Sequence, residues 1–133
     1  MAGRRFKGMS PKKFHGGLAL ALSLIGAGLL LLVFRPAHVN WHHVLGAWLL
    51  SINVTTFGYY GYDKARARRS ASRVPEIVLH GLAFAGGSLG AYAAMNLFRH
   101  KTIKTSFRLV FWMIVVIQTA LIALVVYRLW IHK

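Results

Sequence analysis

Asp63 and Glu76 are the only carboxylates in the chain, and both stand among cations. Asp63 is followed at once by Lys64. Glu76 comes after Arg73, with His80 four positions on, so a helix would place Glu76 and His80 on one face. An ionisable pair of this kind could move a proton. Farther along, Arg99, His100, Lys101 and Lys104 gather within six positions. Arginine grips a phosphate or carboxylate through two parallel donors and lysine adds a compact charge, so this group suits an anion. A simpler reading needs no ligand. Pro75 and Glu76 make a good helix start, where the missing amide costs nothing and the dipole favours a carboxylate. Lys64 or an Arg of residues 63–74 is then the expected partner of Glu76, and structural pairing outweighs chemistry. The four cations would likewise anchor a helix end by snorkelling.

Other chemistries find no support. The seven His residues form no metal-ligand spacing, and no Cys is present. Gly86-Gly87-Ser88-Leu89-Gly90 resembles a phosphate loop in composition but falls inside an apolar run rather than after a strand. No nucleophile–base arrangement can be argued, and no metal or other cofactor is implied.

The elements that must position these residues are set by an unusual composition. The 133 residues are 56% hydrophobic, with 17 Lys plus Arg and a formal charge of +15. The charges sit in short blocks between long uncharged runs, which excludes a disordered chain, a disulfide scaffold and a large soluble enzyme. Residues 16–34, 41–62, 75–98 and 109–127 are each long enough to cross a hydrocarbon core of about 30 Å as a helix. The expected fold is therefore all-α: a polytopic membrane protein of four transmembrane helices, with residues 1–15 as a basic cytoplasmic tail and residues 16–133 as one membrane domain. The first run reads as an uncleaved anchor, because Arg35 and Pro36 stand where a cleavage site would need small residues.

Lys and Arg set the orientation. Four spans divide them 12 against 5 and put both termini in the cytoplasm, but leave Arg99, Lys101, Lys104 and Arg108 outside. An alternative keeps three spans and turns residues 75–98 back at Gly86-Gly87 as a re-entrant helical hairpin. The division then becomes 14 against 3. Re-entrant segments are rarer than spans and need protein cover for their turn, so four spans is the primary expectation. In either arrangement the second and third runs are expected to pack together. Asn53 would bond across to a stripe of small residues, Gly86, Gly87, Gly90 and Ala94, that lets helices approach closely. The first run should pack peripherally.

Two blocks carry a resemblance. Gly61-Tyr62-Asp63-Lys64-Ala65-Arg66 is followed by Arg73-Val74-Pro75-Glu76. Then Gly86-Gly87-Ser88-Leu89-Gly90-Ala91 leads to Arg99-His100-Lys101-Thr102, with Lys104 and Phe107 beyond. Together these resemble the bacterial domain-of-unknown-function 1294 family of small membrane proteins, over about Leu45 to Val126. Val74 stands where that family usually has Ile. The resemblance implies the bacterial inner membrane and draws attention to Asp63, Lys64, Arg73, Pro75, Glu76, His100, Lys101 and Lys104. Some members carry an N-terminal cold-shock domain that binds nucleic acid. Met1 to His15 is too short for such a barrel, so nucleic-acid binding is not expected to carry over.

Three functional readings follow. The first is a structural or binding protein that grips anionic lipid headgroups or another membrane subunit, whether a different protein or a second copy of itself. The second is an enzyme or carrier acting on a phosphate-bearing lipid, which requires Glu76 and His80 to share a side with Arg99, His100 and Lys101. Membrane-tethered nucleic-acid binding ranks last, since it rests on charge alone.

Overall fold

The computed structural model describes residues 8–99 and 104–132, and all secondary structure among them is helical. Helix α1 is Pro11–Phe34, α2 is Trp41–Arg68, α3 is Glu76–Leu82, α4 is Ser88–Phe98 and α5 is Thr105–Ile131. A π-helical turn, Ala83–Gly87, joins α3 to α4. Helix α1 starts with Pro at its first position and ends where Arg35 turns left-handed, its amide bonding the Leu31 carbonyl. Helix α2 opens at Asn40, whose amide donates to His43 Nδ1 at 3.2 Å.

Three helical stretches are long and apolar enough to cross a bilayer: Pro11–Phe34, Glu76–Phe98 and Thr105–Ile131. The outward faces of α1 and α5 agree, with Leu24, Ile25, Leu32, Val116, Ile122 and Val126 all exposed. So much exposed aliphatic surface suits lipid and not water. The expectation of four spans is not confirmed. Helix α2 falls short because of its polar residues, and the stretch Glu76–Phe98 is broken.

Gly86 breaks it. Its φ of 118° and ψ of 0° are not helical, and a β-carbon would make that conformation strained. The contacts on either side run in opposite directions. At the start of α3, the Val74 amide bonds the Asp63 side chain near the C-terminal end of α2. At the turn, Gly86 faces Leu49 and Ile52, about three turns or more back along α2 from Asp63. Helix α4 then returns, with Gly90 against Asn53 and Phe98 against Gly61 and Phe57. Helices α3 and α4 thus form a hairpin that leaves the C-terminal end of α2, turns near its middle and comes back.

The remaining directions follow. Tyr59 Oη donates to the His15 carbonyl at 3.2 Å, and Ser51 Oγ to the Ser23 carbonyl at 2.7 Å, so α1 lies antiparallel to α2. Helix α5 begins beside α2 and α3, where Phe107 meets Tyr60 and stacks on His80. It passes Tyr92 of α4 at Trp112 and reaches the turn at Gln118. From there it continues to Ile131 with every residue exposed. Pro11 and Ile131 therefore lie at opposite ends of the bundle. Both ends on one side of a membrane would instead need residues 75–98 to cross in one direction.

The core fills the half of the bundle that holds the hairpin, with Ile52, Tyr60, Leu79, Ala83, Ala91, Ala94, Phe107 and Phe111 almost fully buried. Helix α1 is mostly exposed but meets α2 closely through Ala19, Ser23 and Gly26, a small-residue contact larger than its few polar features suggest.

Candidate functional site

Breaking a helix inside a bilayer leaves its last carbonyls without partners, at a cost of several kcal/mol for each one left bare, roughly. Here neighbouring side chains meet them. Gln118 Nε2 donates to the Ala83 and Phe84 carbonyls at 2.9 and 2.8 Å. Trp48 Nε1 donates to Ala85 O at 3.0 Å. Asn53 Nδ2 donates to Gly86 O at 3.0 Å, while Asn53 Oδ1 accepts the Gly90 amide at 2.6 Å. Ser88 hydrogen-bonds both the Ala83 carbonyl and Gln118. Four consecutive carbonyls and the start of α4 are thereby satisfied. Of the expected stripe, Gly86 and Gly90 bond Asn53, Gly87 lies against Thr56, and Ala94 is buried. Trp48, Ser88 and Gln118 escaped the sequence reading. The available signals were a lone amide in the apolar run 109–127 and a Trp far from the ends of run 41–62.

The hairpin also decides what gathers at its open end. Asp63 is fully buried, and its Oδ1 accepts the Val74 amide at 2.9 Å. This bond closes the connection between α2 and α3, so the Asp63 carboxylate holds backbone. Arg66 braces the same connection, donating to Ser72 O at 2.9 Å and Ser72 Oγ at 2.8 Å, with its guanidinium 5.9 Å from the Tyr62 ring centre. Glu76 pairs with Lys104 at 2.7 Å, across the gap between the two halves of the sequence. Neither Lys64 nor an Arg of residues 63–74 takes that described contact. The pair is substantially exposed, and such pairs contribute about 0–1 kcal/mol. His80 lies beneath it, its ring stacked on buried Phe107 at 4.2 Å.

Lys64 is half-buried next to Asp63, whereas Arg73 and Arg99 are exposed. Arg99 ends α4 in a left-handed conformation. His100 and Lys101 lie outside the described residues. Asp63, Glu76, His80 and Lys104 are thus brought to one end of the bundle, with Tyr60 and Phe107 as an aromatic floor that the sequence reading did not assign. Lys12, Lys13, Lys64, Arg66, Arg68, Arg69, Arg73, Arg99, Lys104 and Arg108 all belong to this end. Among the described residues, the opposite end holds only Arg35 and Arg128. The arrangement suits an anion, because each carboxylate is already committed to a protein partner while most cations face outward.

Comparisons with known proteins agree with the two sequence blocks that meet here. A family model described as "Protein of unknown function (DUF1294)" matches residues 53–107, which run from Asn53 of α2 to Phe107 of α5. The chain is 36% identical over 81 residues to "Uncharacterized protein YsdA" of Bacillus subtilis (strain 168). That match covers 61% of this chain and 91% of the relative. No solved structure matches. Because the similarity takes in nearly the whole relative and joins both halves of the hairpin's frame, the chain belongs to the DUF1294 family.

Proposed function

We propose that this chain is a bacterial inner-membrane binding protein whose basic end faces the cytoplasm and grips anionic lipid headgroups. In this reading α1, α2 and α5 cross the membrane. The α3–α4 hairpin enters from the cytoplasmic side and returns to it. Helix α2 must be as deep as α1, because the two are bonded along their length at His15–Tyr59 and Ser23–Ser51. Its lower hydropathy reflects a polar face turned towards the other helices. The N-terminal tail is then cytoplasmic and the C-terminus lies outside.

The observation that carries the reading is the charge asymmetry between the two ends of the bundle. Cations concentrate on the cytoplasmic side of membrane proteins. On an anionic leaflet each is worth about 1 kcal/mol near the surface. The test is thermal unfolding of the purified protein in neutral detergent with phosphatidylglycerol or phosphatidylcholine of matched chains. A rise in midpoint specific to phosphatidylglycerol supports the reading, and equal rises count against it.

A second reading, an enzyme or carrier for a phosphate-bearing lipid, gains from the hairpin. Glu76, His80 and Lys104 share one side with Arg99, as that chemistry requires of the described residues. It ranks below binding because Glu76 is paired and Asp63 holds backbone. Another membrane subunit on the exposed length of α5 belongs to the same binding class.

A further inference from the structure

A long apolar groove runs along the outer seam of α1 and α2, with a volume of about 1040 Å³. Its walls are Leu18, Leu22, Leu29 and Val33 from α1, with Val54 and Gly58 from α2. The two helices meet closely at Gly26, where a β-carbon would collide with the Ser51 side chain. From His15 to Gly26 the groove is about 16 Å deep, which is one leaflet's share of a hydrocarbon core of about 30 Å. This half ends among rings, since His15 lies edge-on to Tyr59, with Tyr62 beside it. His15 Nδ1 is buried there without a hydrogen-bond partner among the described residues. Buried polar atoms are seldom left so. Lys12 stands one turn earlier on the same face as His15, with Lys13 next to it, and Arg66 lies over Tyr62. The other end of the groove, at Val33 and Phe34, lies at the end of the bundle where Arg35 and Arg128 are the described Lys and Arg residues.

We propose that this groove is a specific site for one anionic phospholipid of the cytoplasmic leaflet. An acyl chain lies between α1 and α2 from His15 to Gly26. The phosphate sits among Lys12, Lys13 and Arg66, beside the ring of His15 where the groove ends. The groove supplies length and shape, and the cations at one end alone supply polarity and choice of leaflet. The site rests on the lipid-binding reading above but lies away from the hairpin mouth, on α1 and α2 only.

Gly58 makes a clean test, because it lines the groove and a β-carbon there meets nothing within 4 Å. Gly58→Phe should fill the groove while leaving the helix contacts intact. Leu22→Trp blocks it from the opposite wall if Gly58→Phe fails to fold. Saturable rises in thermal midpoint would be measured on the delipidated full chain with phosphatidylglycerol, phosphatidylcholine and inorganic phosphate. The site predicts at least a tenfold weaker phosphatidylglycerol response for Gly58→Phe or Leu22→Trp and for the double variant Lys12→Ala with Lys13→Ala. It also predicts no rise with phosphate alone. If wild type prefers phosphatidylglycerol but the blocked variants respond equally, the groove proposal is wrong and lipid binding at the basic end stands. If wild type shows no preference, the broader reading falls with it. A full response to inorganic phosphate would overturn the acyl-chain site. A dimer in sedimentation that Gly58→Phe dissociates would identify a second copy as the occupant instead.

Discussion

Gly90→Ala adds one methyl group at the tightest point between the hairpin and α2. The new β-carbon would land on the Asn53 carbonyl oxygen, with Asn53 C and Cα at 3.0 Å. These are backbone atoms in the middle of a helix, so no rotamer change can make room and α4 must move outward. Overpacking of this kind costs about 1–3 kcal/mol. Moving α4 also stretches the bonds from Asn53 to the Gly90 amide and the Gly86 carbonyl, now 2.6 and 3.0 Å. Side-chain bonds between membrane helices average about 0.6 kcal/mol, so their loss adds roughly 1 kcal/mol. Helix propensity returns about 1 kcal/mol, leaving a net loss of about 1–3 kcal/mol. Gly58→Ala is the matched control, since it gives the same propensity gain with open space around it. Its expected effect lies between zero and about 1 kcal/mol of stabilisation. Unfolding in detergent by heat or denaturant would separate the two variants by several degrees. Gly90→Leu should exceed Leu30→Ala in the same assay. Equal behaviour of Gly90→Ala and Gly58→Ala would refute the close packing of α4 on Asn53.

Three further outcomes follow from the same frame. Asn53→Ala leaves the Gly86 carbonyl and Gly90 amide bare, and should cost about 1–3 kcal/mol in detergent unfolding; a neutral result would mean the turn finds other partners. Asp63→Ala removes the acceptor of the buried Val74 amide and should cost about 1–3 kcal/mol, whereas Lys104→Ala should cost less than about 1 kcal/mol because its pair is exposed. Because the chain has no Cys, single cysteines report sidedness: Ser70→Cys and Ser106→Cys should resist an impermeant thiol reagent applied to intact cells, while His132→Cys should react. Labelling of Ser106→Cys without Ser70→Cys would restore four spans.

The helices themselves were legible because each apolar run is long and its borders carry Pro, Asn or charge. Trp41, Leu109 and Tyr127 fall at or inside helices whose observed bounds extend a turn or more into basic sequence, as for α2, which continues to Arg68. The pairing of Asn53 with the glycine stripe was also readable, since a lone amide and a row of small residues are each informative in an apolar run. Direction was not readable. Residues 75–98 have the length of a span, and only the backbone of Gly86 reverses them. Glycine permits that conformation without demanding it, so the sequence allowed both paths and a count of cations favoured the hairpin only modestly. The partner of Glu76 was missed for the same reason, because Lys104 reaches it only once the chain has turned back.

Hydropathy ranks α2 lowest of the long helices, yet the physics of the hairpin requires such a helix beside it. A turn within the bilayer exposes carbonyls that lipid cannot satisfy. The donors must come from neighbouring helices, and Trp48 and Asn53 supply them from α2 as Gln118 does from α5. Farther along the same helix, Thr56 packs against Gly87, Tyr60 is buried beside Phe107, and Asp63 fastens the hairpin's entry at Val74. The polar face that removes α2 from a list of apolar helices is thus the face that makes the re-entrant turn possible. The matched family segment, residues 53–107, holds Asn53, the hairpin and Phe107, while the donors Trp48 and Gln118 lie outside it. Helix α1 and the distal part of α5 lie outside the segment and supply the walls that meet lipid. Substitutions in the groove on α1 should therefore alter lipid response while leaving the hairpin's unfolding unchanged.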